Sequence, residues 1–201
     1  MVLARASEPR PWRPLIPPDQ RPEHEGKPTL VLDMNHTLVS SVTSPDQRYD
    51  FVSKVRGSDG TLLTLKRPFV DDFLRQMARV YEIVVFTSCD RRIADPILDE
   101  LDPEGRLFAH RLYTEHCSWS SEVGHVKDLS MLGRGMERVV IVDDSESKCV
   151  WNLDNWVPVS SFWDNPGDRE LLDLVPFLLG LAKVEDVRPV VRKWRLQNFG
   201  K

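Results

Sequence analysis

Hydrophobic positions along the chain gather into three continuous runs, each finishing on a polar side chain. Thr29 to Asp33 (TLVLD), Ile83 to Thr87 (IVVFT) and Val139 to Asp143 (VVIVD) share this design. A strand in a parallel sheet reads this way, because helices cover both of its faces and no alternation with polar residues is needed. Between the runs the spacing turns helical. Phe69, Val70, Phe73, Leu74 and Met77 recur three and four apart, with Pro68 at the expected first helical position. Ile93–Leu101 and Asp168–Leu181 predict two more helices, each with an internal proline (Pro96 and Pro176). Val157–Ser160 and Leu107–Tyr113 predict further short strands. Tyr49–Val55 and Leu62–Leu65 flank Arg56-Gly57-Ser58-Asp59-Gly60, the composition of a hairpin turn. The pattern predicts an α/β fold: a parallel sheet flanked by helices, with a small β-hairpin insert. Ligands of such sheets gather beyond the carboxyl ends of the strands, so Asp33, Thr87 and Asp143 mark a site before any chemistry is considered.

The length of 201 residues fits one domain with short tails. The expected division is a proline- and arginine-rich tail or lead-in strap over 1–26, a domain over 27–192 and a C-terminal tail over 193–201. Glu8, Asp19, Glu23 and Glu25 count against reading the first segment as a cleaved transit peptide. Apolar residues are 41 % of the chain, enough for a core. No run reaches the roughly 18 to 20 apolar residues of a membrane-spanning helix. A net charge of −4 supplies no general attraction to nucleic acid or anionic lipid. Cys89, Cys117 and Cys149 are odd in number and lack zinc-ligand spacing, so they are expected to be reduced thiols in a reducing, intracellular compartment.

The densest chemistry is Asp33-Met34-Asn35-His36-Thr37, directly after the first buried run. A carboxylate there can attack phosphorus and form an acyl phosphate, which divides one hard displacement into two easier ones. The phosphoryl oxygens then need neutralising, which calls for a hard divalent cation on oxygen ligands and a fixed lysine. Asp143 and Asp144 offer the carboxylates, Lys127 the cation and Thr87 a hydroxyl. Taken singly, each has a plainer reading: a turn cap for Asp33, a solvated turn residue for Asp144, a surface lysine for Lys127. Their coincidence favours chemistry. His36 reads as a loop residue, and His116 and His125 as surface histidines. Trp151, Trp156 and Trp163 are expected to pack under loops. Ser120 and Ser121 lack the glycine-rich elbow of a hydrolase nucleophile.

This set resembles the haloacid-dehalogenase phosphatases, whose first motif is D-x-D-x-T. More closely it resembles the FCP/SCP and Dullard branch, which includes the phosphatases of the RNA polymerase II C-terminal domain. The resemblance runs from Lys27 to Val191 and includes Leu65-Lys66-Arg67-Pro68, Tyr81 to Ser88, Arg111-Leu112-Tyr113, Val126 to Ser130, Val140 to Ser145, Pro158-Val159 and Asp173 to Leu178. It implies a Mg²⁺-dependent protein serine/threonine phosphatase of haloacid-dehalogenase fold. Asp33 would be nucleophile and metal ligand. Asn35 would give its backbone carbonyl to Mg²⁺ and stand at the general acid–base position. Thr87 and Lys127 would hold the phosphoryl group, and Asp144 would bind metal where the family usually has Asn. Thr37 and Asp143 would support the site, and Arg111 would hold substrate or order nearby loops.

Asn35 departs from the pattern. An amide keeps the shape and the carbonyl but neither donates a proton to a leaving serine oxygen nor takes one from water. It is either an introduced Asp→Asn replacement that traps substrate or a natural loss of the acid. Asp33 and Thr87 are 54 positions apart, which leaves no room for a large cap domain. The implied substrate is therefore a phosphoserine or phosphothreonine on a flexible peptide, RNA polymerase II C-terminal-domain-like sequences among them, with the hairpin insert and Trp119 forming part of its groove. A monomer in nucleus or cytoplasm is expected. A second family shares the resemblance: the receptor subunit of the mitochondrial presequence translocase, which binds presequences. Leu15-Ile16-Pro17-Pro18-Asp19 and Val184 to Arg188 are similar to it. That reading implies a mitochondrial binding module with an acidic, partly apolar groove. The retained Asp33, Thr37, Lys127 and Asp143-Asp144 favour the enzyme.

Overall fold

The computed structural model describes residues 13–199; the first part of the arginine- and proline-rich segment, Met1 to Trp12, lies outside them. The three apolar runs form the centre of the fold. They are strands β1 (Thr29–Leu32), β5 (Glu82–Phe86) and β9 (Val139–Asp143), buried along their whole length. With β6 (His110–Leu112) and β10 (Trp156–Pro158) they make a five-stranded parallel sheet in the order β10-β9-β1-β5-β6. Alternate residues serve opposite faces, as a period of two requires. Leu30, Leu32, Ile83, Val85, Val140 and Val142 join one core; Val31, Val84, Phe86, Val139 and Ile141 join the other.

Helices α1 (Val70–Val80), α2 (Arg91–Leu101), α4 (Glu170–Leu181) and α5 (Arg188–Asn198) contribute to the first core. Pro96 and Pro176 both lie inside helices. α1 begins later than Pro68 suggests. Its cap residue is Phe69, held in the left-handed region at φ 67°, so Pro68 precedes the helix instead of opening it. Helix α5 was not foreseen. It buries Val191 and stacks Trp194 on Phe177 at 4.6 Å. A one-turn helix α3 (Glu146–Cys149) follows β9.

The insert has three strands instead of two: β2 (Val39–Val42), β3 (Phe51–Lys54) and β4 (Thr61–Lys66), in the order β2-β4-β3. A second small hairpin, β7 (Ser118–Ser120) with β8 (Gly124–Val126), carries Trp119. The described part of the lead-in segment lies along the domain. Leu15 N–H donates to the Met131 carbonyl at 2.8 Å, and Ile16 is buried in the second core. Pro14 crosses so closely over Gly133 that a Cβ there would fall 2.5 Å from the Pro14 Cβ, and Gly133 holds φ 83°. That position suits glycine on both counts.

Candidate active site

The register of the sheet assembles the polar ends. Leu32 lies opposite Val85 on one side and Val142 on the other, so Asp33, Thr87 and Asp143 all emerge at the same edge. Asp33 stays tied to β9 through its N–H, which donates to the Val142 carbonyl at 3.0 Å. Lys127 enters from the end of β8. Its backbone N–H is anchored on the Lys148 carbonyl at 2.8 Å. Its Nζ donates to Asp33 Oδ1 at 2.5 Å and to Asp143 Oδ2 at 2.6 Å. Lys127 and Asp143 are each 1 % exposed, so the charged cluster is desolvated.

Asp144 stands at the mouth of the cluster. Thr37 Oγ1 donates to its Oδ1 at 3.5 Å and Ser161 Oγ to its Oδ2 at 2.6 Å. Asp33, Asp143 and Asp144 each offer a carboxylate oxygen within 4.8 Å of the others. Burial, with Asp143 alongside, pushes the Asp33 carboxyl up to about 7 against the pull of Lys127. Burial works to lower Lys127, but Asp143 and Asp33 outweigh it and hold the ammonium well above its ordinary range. Three carboxylates against one ammonium leave the pocket formally at −2, an imbalance that a buried site tolerates poorly. Hard oxygen donors and a charge deficit of two suit a divalent cation such as Mg²⁺.

Thr87 is fully buried, and its Oγ1 accepts the Cys89 N–H at 3.1 Å. Asn35 is half-buried, with a backbone bridge to Val39. Arg111 lies elsewhere. It pairs with Asp99 at 2.6 Å and Asp95 at 3.4 Å on α2, carboxylates that also hold Arg56 of the insert turn. The geometry gives Arg111 an ordering task between α2, β6 and the insert, and no contact with the carboxylate cluster. His116 is likewise local: its Nδ1 accepts the Tyr113 N–H at 3.0 Å. His125 lies edge-on to Trp119.

Several residues around the site escaped the sequence reading. Arg67 is fully buried. It grips Asp168 through Nε at 2.9 Å and Nη2 at 2.8 Å, bonds Glu170 at 2.9 Å, and donates Nη1 to the Thr37 carbonyl at 3.2 Å. It thus clamps the loop after Asp33 to the segment before α4. Ser160, Ser161 and Phe162 belong to that segment: Ser160 bonds Glu170, Ser161 bonds Asp144, and Phe162 N–H donates to the His36 carbonyl at 2.7 Å. Of the tryptophans expected under loops, Trp156 is buried and donates Nε1 to the Asp143 carbonyl at 2.8 Å. Trp151 and Trp163 are instead exposed, at 48 % and 63 %. Cys89, Cys117 and Cys149 are free thiols.

A five-stranded parallel sheet with helices on its faces, an antiparallel insert and a carboxylate–lysine centre at the strand ends define a protein of the haloacid-dehalogenase class. Comparison narrows the class. The model of the NLI interacting factor-like phosphatases matches residues 28–188, and the chain belongs to that family. A probable C-terminal domain small phosphatase of Dictyostelium discoideum is 46 % identical over 176 residues, covering 87 % of this chain and 57 % of that protein. The human carboxy-terminal domain RNA polymerase II polypeptide A small phosphatase 1 is 41 % identical over 180 residues, covering 89 % and 68 %. The chain therefore spans little more than half the length of the first of these relatives. Fission yeast Fcp1, an RNA polymerase II CTD phosphatase solved with beryllium fluoride, shares the fold at 19 % identity and a TM-score of 0.55, over 85 % of this chain and 55 % of that one. The chain is thus a protein-phosphatase scaffold.

Proposed function

We propose that the domain is a Mg²⁺-dependent protein serine/threonine phosphatase working through an aspartyl-phosphate, slowed by Asn35. The observation that supports it most is Lys127, buried and bonded to both Asp33 and Asp143 at the end of the parallel sheet. A purely structural ion pair is no more stable there than well-packed apolar residues of equal volume. A phosphoryl group, by contrast, needs a fixed cation beside the attacking carboxylate.

Asp33, Asp144 and the Asn35 carbonyl would hold Mg²⁺, with Asp143 in support; bound there, it supplies positive charge to the phosphoryl oxygens. Lys127 and the Thr87 hydroxyl would grip two of those oxygens. The Asp33 carboxylate attacks phosphorus, its new O–P bond forms, and the bond to the serine or threonine oxygen breaks. That oxygen leaves needing a proton. Water then attacks the phosphorus, the Asp33 O–P bond breaks to return the carboxylate and release phosphate, and this water must lose a proton. Asn35 can neither give the first nor take the second. A positioned acid–base group contributes about 10² to 10⁴-fold in rate. The open site suits a phosphopeptide, RNA polymerase II C-terminal-domain-like sequences among the candidates. The free thiols agree with a reducing compartment. Among the described residues no helix is long and apolar enough to cross a membrane.

The test compares this chain with Asn35→Asp on an aryl phosphate and on phosphoserine peptides, with Mg²⁺ and with a chelator. Turnover is expected to rise by about 10² to 10⁴-fold in Asn35→Asp, to vanish with the chelator, and to vanish again when Asp33→Ala is added. A folded Asn35→Asp protein that stays inactive would sink the enzyme reading and make presequence-peptide binding the next measurement.

A further inference from the structure

Asp144 is held differently from the other two carboxylates of the cluster. Asp33 and Asp143 are buried and bonded to Lys127, whereas Asp144 is half-buried and held by the hydroxyls of Thr37 and Ser161. The chain leading into it is fixed from behind, where the buried Trp156 donates Nε1 to the Asp143 carbonyl at 2.8 Å. Its side chain depends on Ser161, whose Oγ donates to Oδ2 at 2.6 Å. Ser161 reaches it because β10 runs beside β9, with Pro158 opposite Asp143, so the segment after β10 passes the end of the sheet. Ser161 is exposed, but its loop is not free. On one side Ser160 N–H donates to Glu170 Oε1 at 3.0 Å, and Arg67 Nη2 bonds Ser160 Oγ at 3.2 Å and Glu170 Oε2 at 2.9 Å. On the other, Phe162 is buried and its N–H donates to the His36 carbonyl at 2.7 Å. Both neighbours of Ser161 are therefore anchored, and its hydroxyl meets Asp144 with little conformational freedom left to lose.

We propose that Ser161 is a positioning residue for the divalent cation, fixing the Asp144 carboxylate so that the site favours Mg²⁺ over Ca²⁺. The inference rests on the phosphatase reading, in which Asp144 is a metal ligand. With Oδ2 engaged by Ser161, Oδ1 is the freer oxygen, since its contact with Thr37 at 3.5 Å lies at the limit of a hydrogen bond. Mg²⁺ demands near-ideal octahedral geometry and short bonds, while Ca²⁺ accepts longer bonds in irregular arrangements. A rigid ligand therefore discriminates between them and a swinging one does not. Asp144 stands at the mouth of the cluster, and without the Ser161 hydroxyl its carboxylate can turn between the cluster and solvent. Groups that orient a metal ligand from outside the coordination shell contribute about 10- to 100-fold in metal affinity or activity.

Mg²⁺ and Ca²⁺ titrations, followed through the thermal melt of the chain with Asn35 in place, measure both affinities without turnover, because a cation that binds only the folded form raises the melt by mass action. In Ser161→Ala the Kd for Mg²⁺ is expected to rise by about 10-fold or more, the Kd for Ca²⁺ by less, and the melt in chelator to stay in place. Ser161→Thr keeps a hydroxyl and should restore both values. The ratio of the two affinities is the readout that a merely structural role would leave alone. Ser161→Ala added to Asp144→Ala should weaken Mg²⁺ no further, because the hydroxyl acts through that carboxylate. Unchanged Mg²⁺ affinity in Ser161→Ala, equal weakening of both cations, or a full additional loss on top of Asp144→Ala overturns the positioning role and leaves the phosphatase reading standing. If the chain with Ser161 intact binds no Mg²⁺, the metal-dependent phosphatase reading itself has failed and the role of Ser161 falls with it.

Discussion

Lys127 is the residue on which the site's electrostatics turn. Its ammonium is the only cation bonded to the Asp33 and Asp143 carboxylates among the described residues. Removing one partner of a buried charge pair costs about 3–5 kcal/mol because the survivors stay buried and unpaired. Lys127→Met should therefore be inactive and unfold at lower urea in the presence of chelator by about that free energy. Mg²⁺ should recover part of the loss, since a cation that binds only the folded form stabilises it by mass action. Urea titrations with and without Mg²⁺ would check both. Asp33, Lys127 and Asp143-Asp144 were legible from sequence because each follows an apolar run or a short distinctive string. Arg67 and Ser161 were not. Arg67 acts on Asp168 and Glu170, about a hundred positions away, and nothing local to the motif around it announces those partners. Trp163 was misjudged because a tryptophan's burial depends on what folds over it, and spacing carries no record of that.

Among elements, the central strands were plain while the small ones were not. Strands buried on both faces leave a strong continuous signal. β2 reads VSSV, half polar, and β7 and β8 have three residues each, too few for a period to show. Helix α5 carries Arg188, Arg192, Lys193 and Arg195 and buries only Val191, so its apolar stripe is faint. The connection that matters most between elements is Arg67, placed just after β4. It joins the insert to the Thr37 loop and to the start of α4. Arg67→Lys keeps the charge but loses the two-pronged grip on Asp168. It should lower stability, and Arg67→Ala more so, by about 3–5 kcal/mol. In the Asn35→Asp background either change should also lower turnover, because the Thr37 carbonyl loses its tether. Thermal melts together with aryl phosphate kinetics would separate the two effects.

At the scale of the whole molecule the sheet has two differently charged ends. Opposite the catalytic edge, Glu82 is fully buried at the start of β5. Arg134 grips it through Nε and Nη2 at 2.8 Å each, Thr29 and Gln20 donate to it at 2.9 and 3.1 Å, and His110 lies 3.6 Å away. Burial works to raise this carboxyl, but the hydrogen bonds from Arg134, His110, Gln20 and Thr29 outweigh it and hold it far below its ordinary value. A depressed folded-state carboxyl contributes stability that is present above its unfolded value and is lost as pH falls through the folded one. The domain should therefore lose stability steadily as pH drops below about 4.5. Glu82→Gln should unfold more easily at pH 7 and show a flatter stability curve below pH 4.5. Urea midpoints across that range would decide it. Arg134 also donates to the Pro17 and Pro18 carbonyls, so the same cluster ties down the lead-in segment.

Asp33, Thr87 and Asp143 ride on three adjacent strands whose pairing is unbroken up to their last residues. No hinge lies between them. The groups that would meet the phosphorus cannot drift apart by a loop opening or a helix swinging, because their spacing is the spacing of a hydrogen-bonded sheet. These three groups have no intermediate degree of assembly. They persist through fluctuations that loosen the insert and are lost in the same cooperative event that melts the sheet; Lys127, held at the end of β8, is the member that loosening of that hairpin would release.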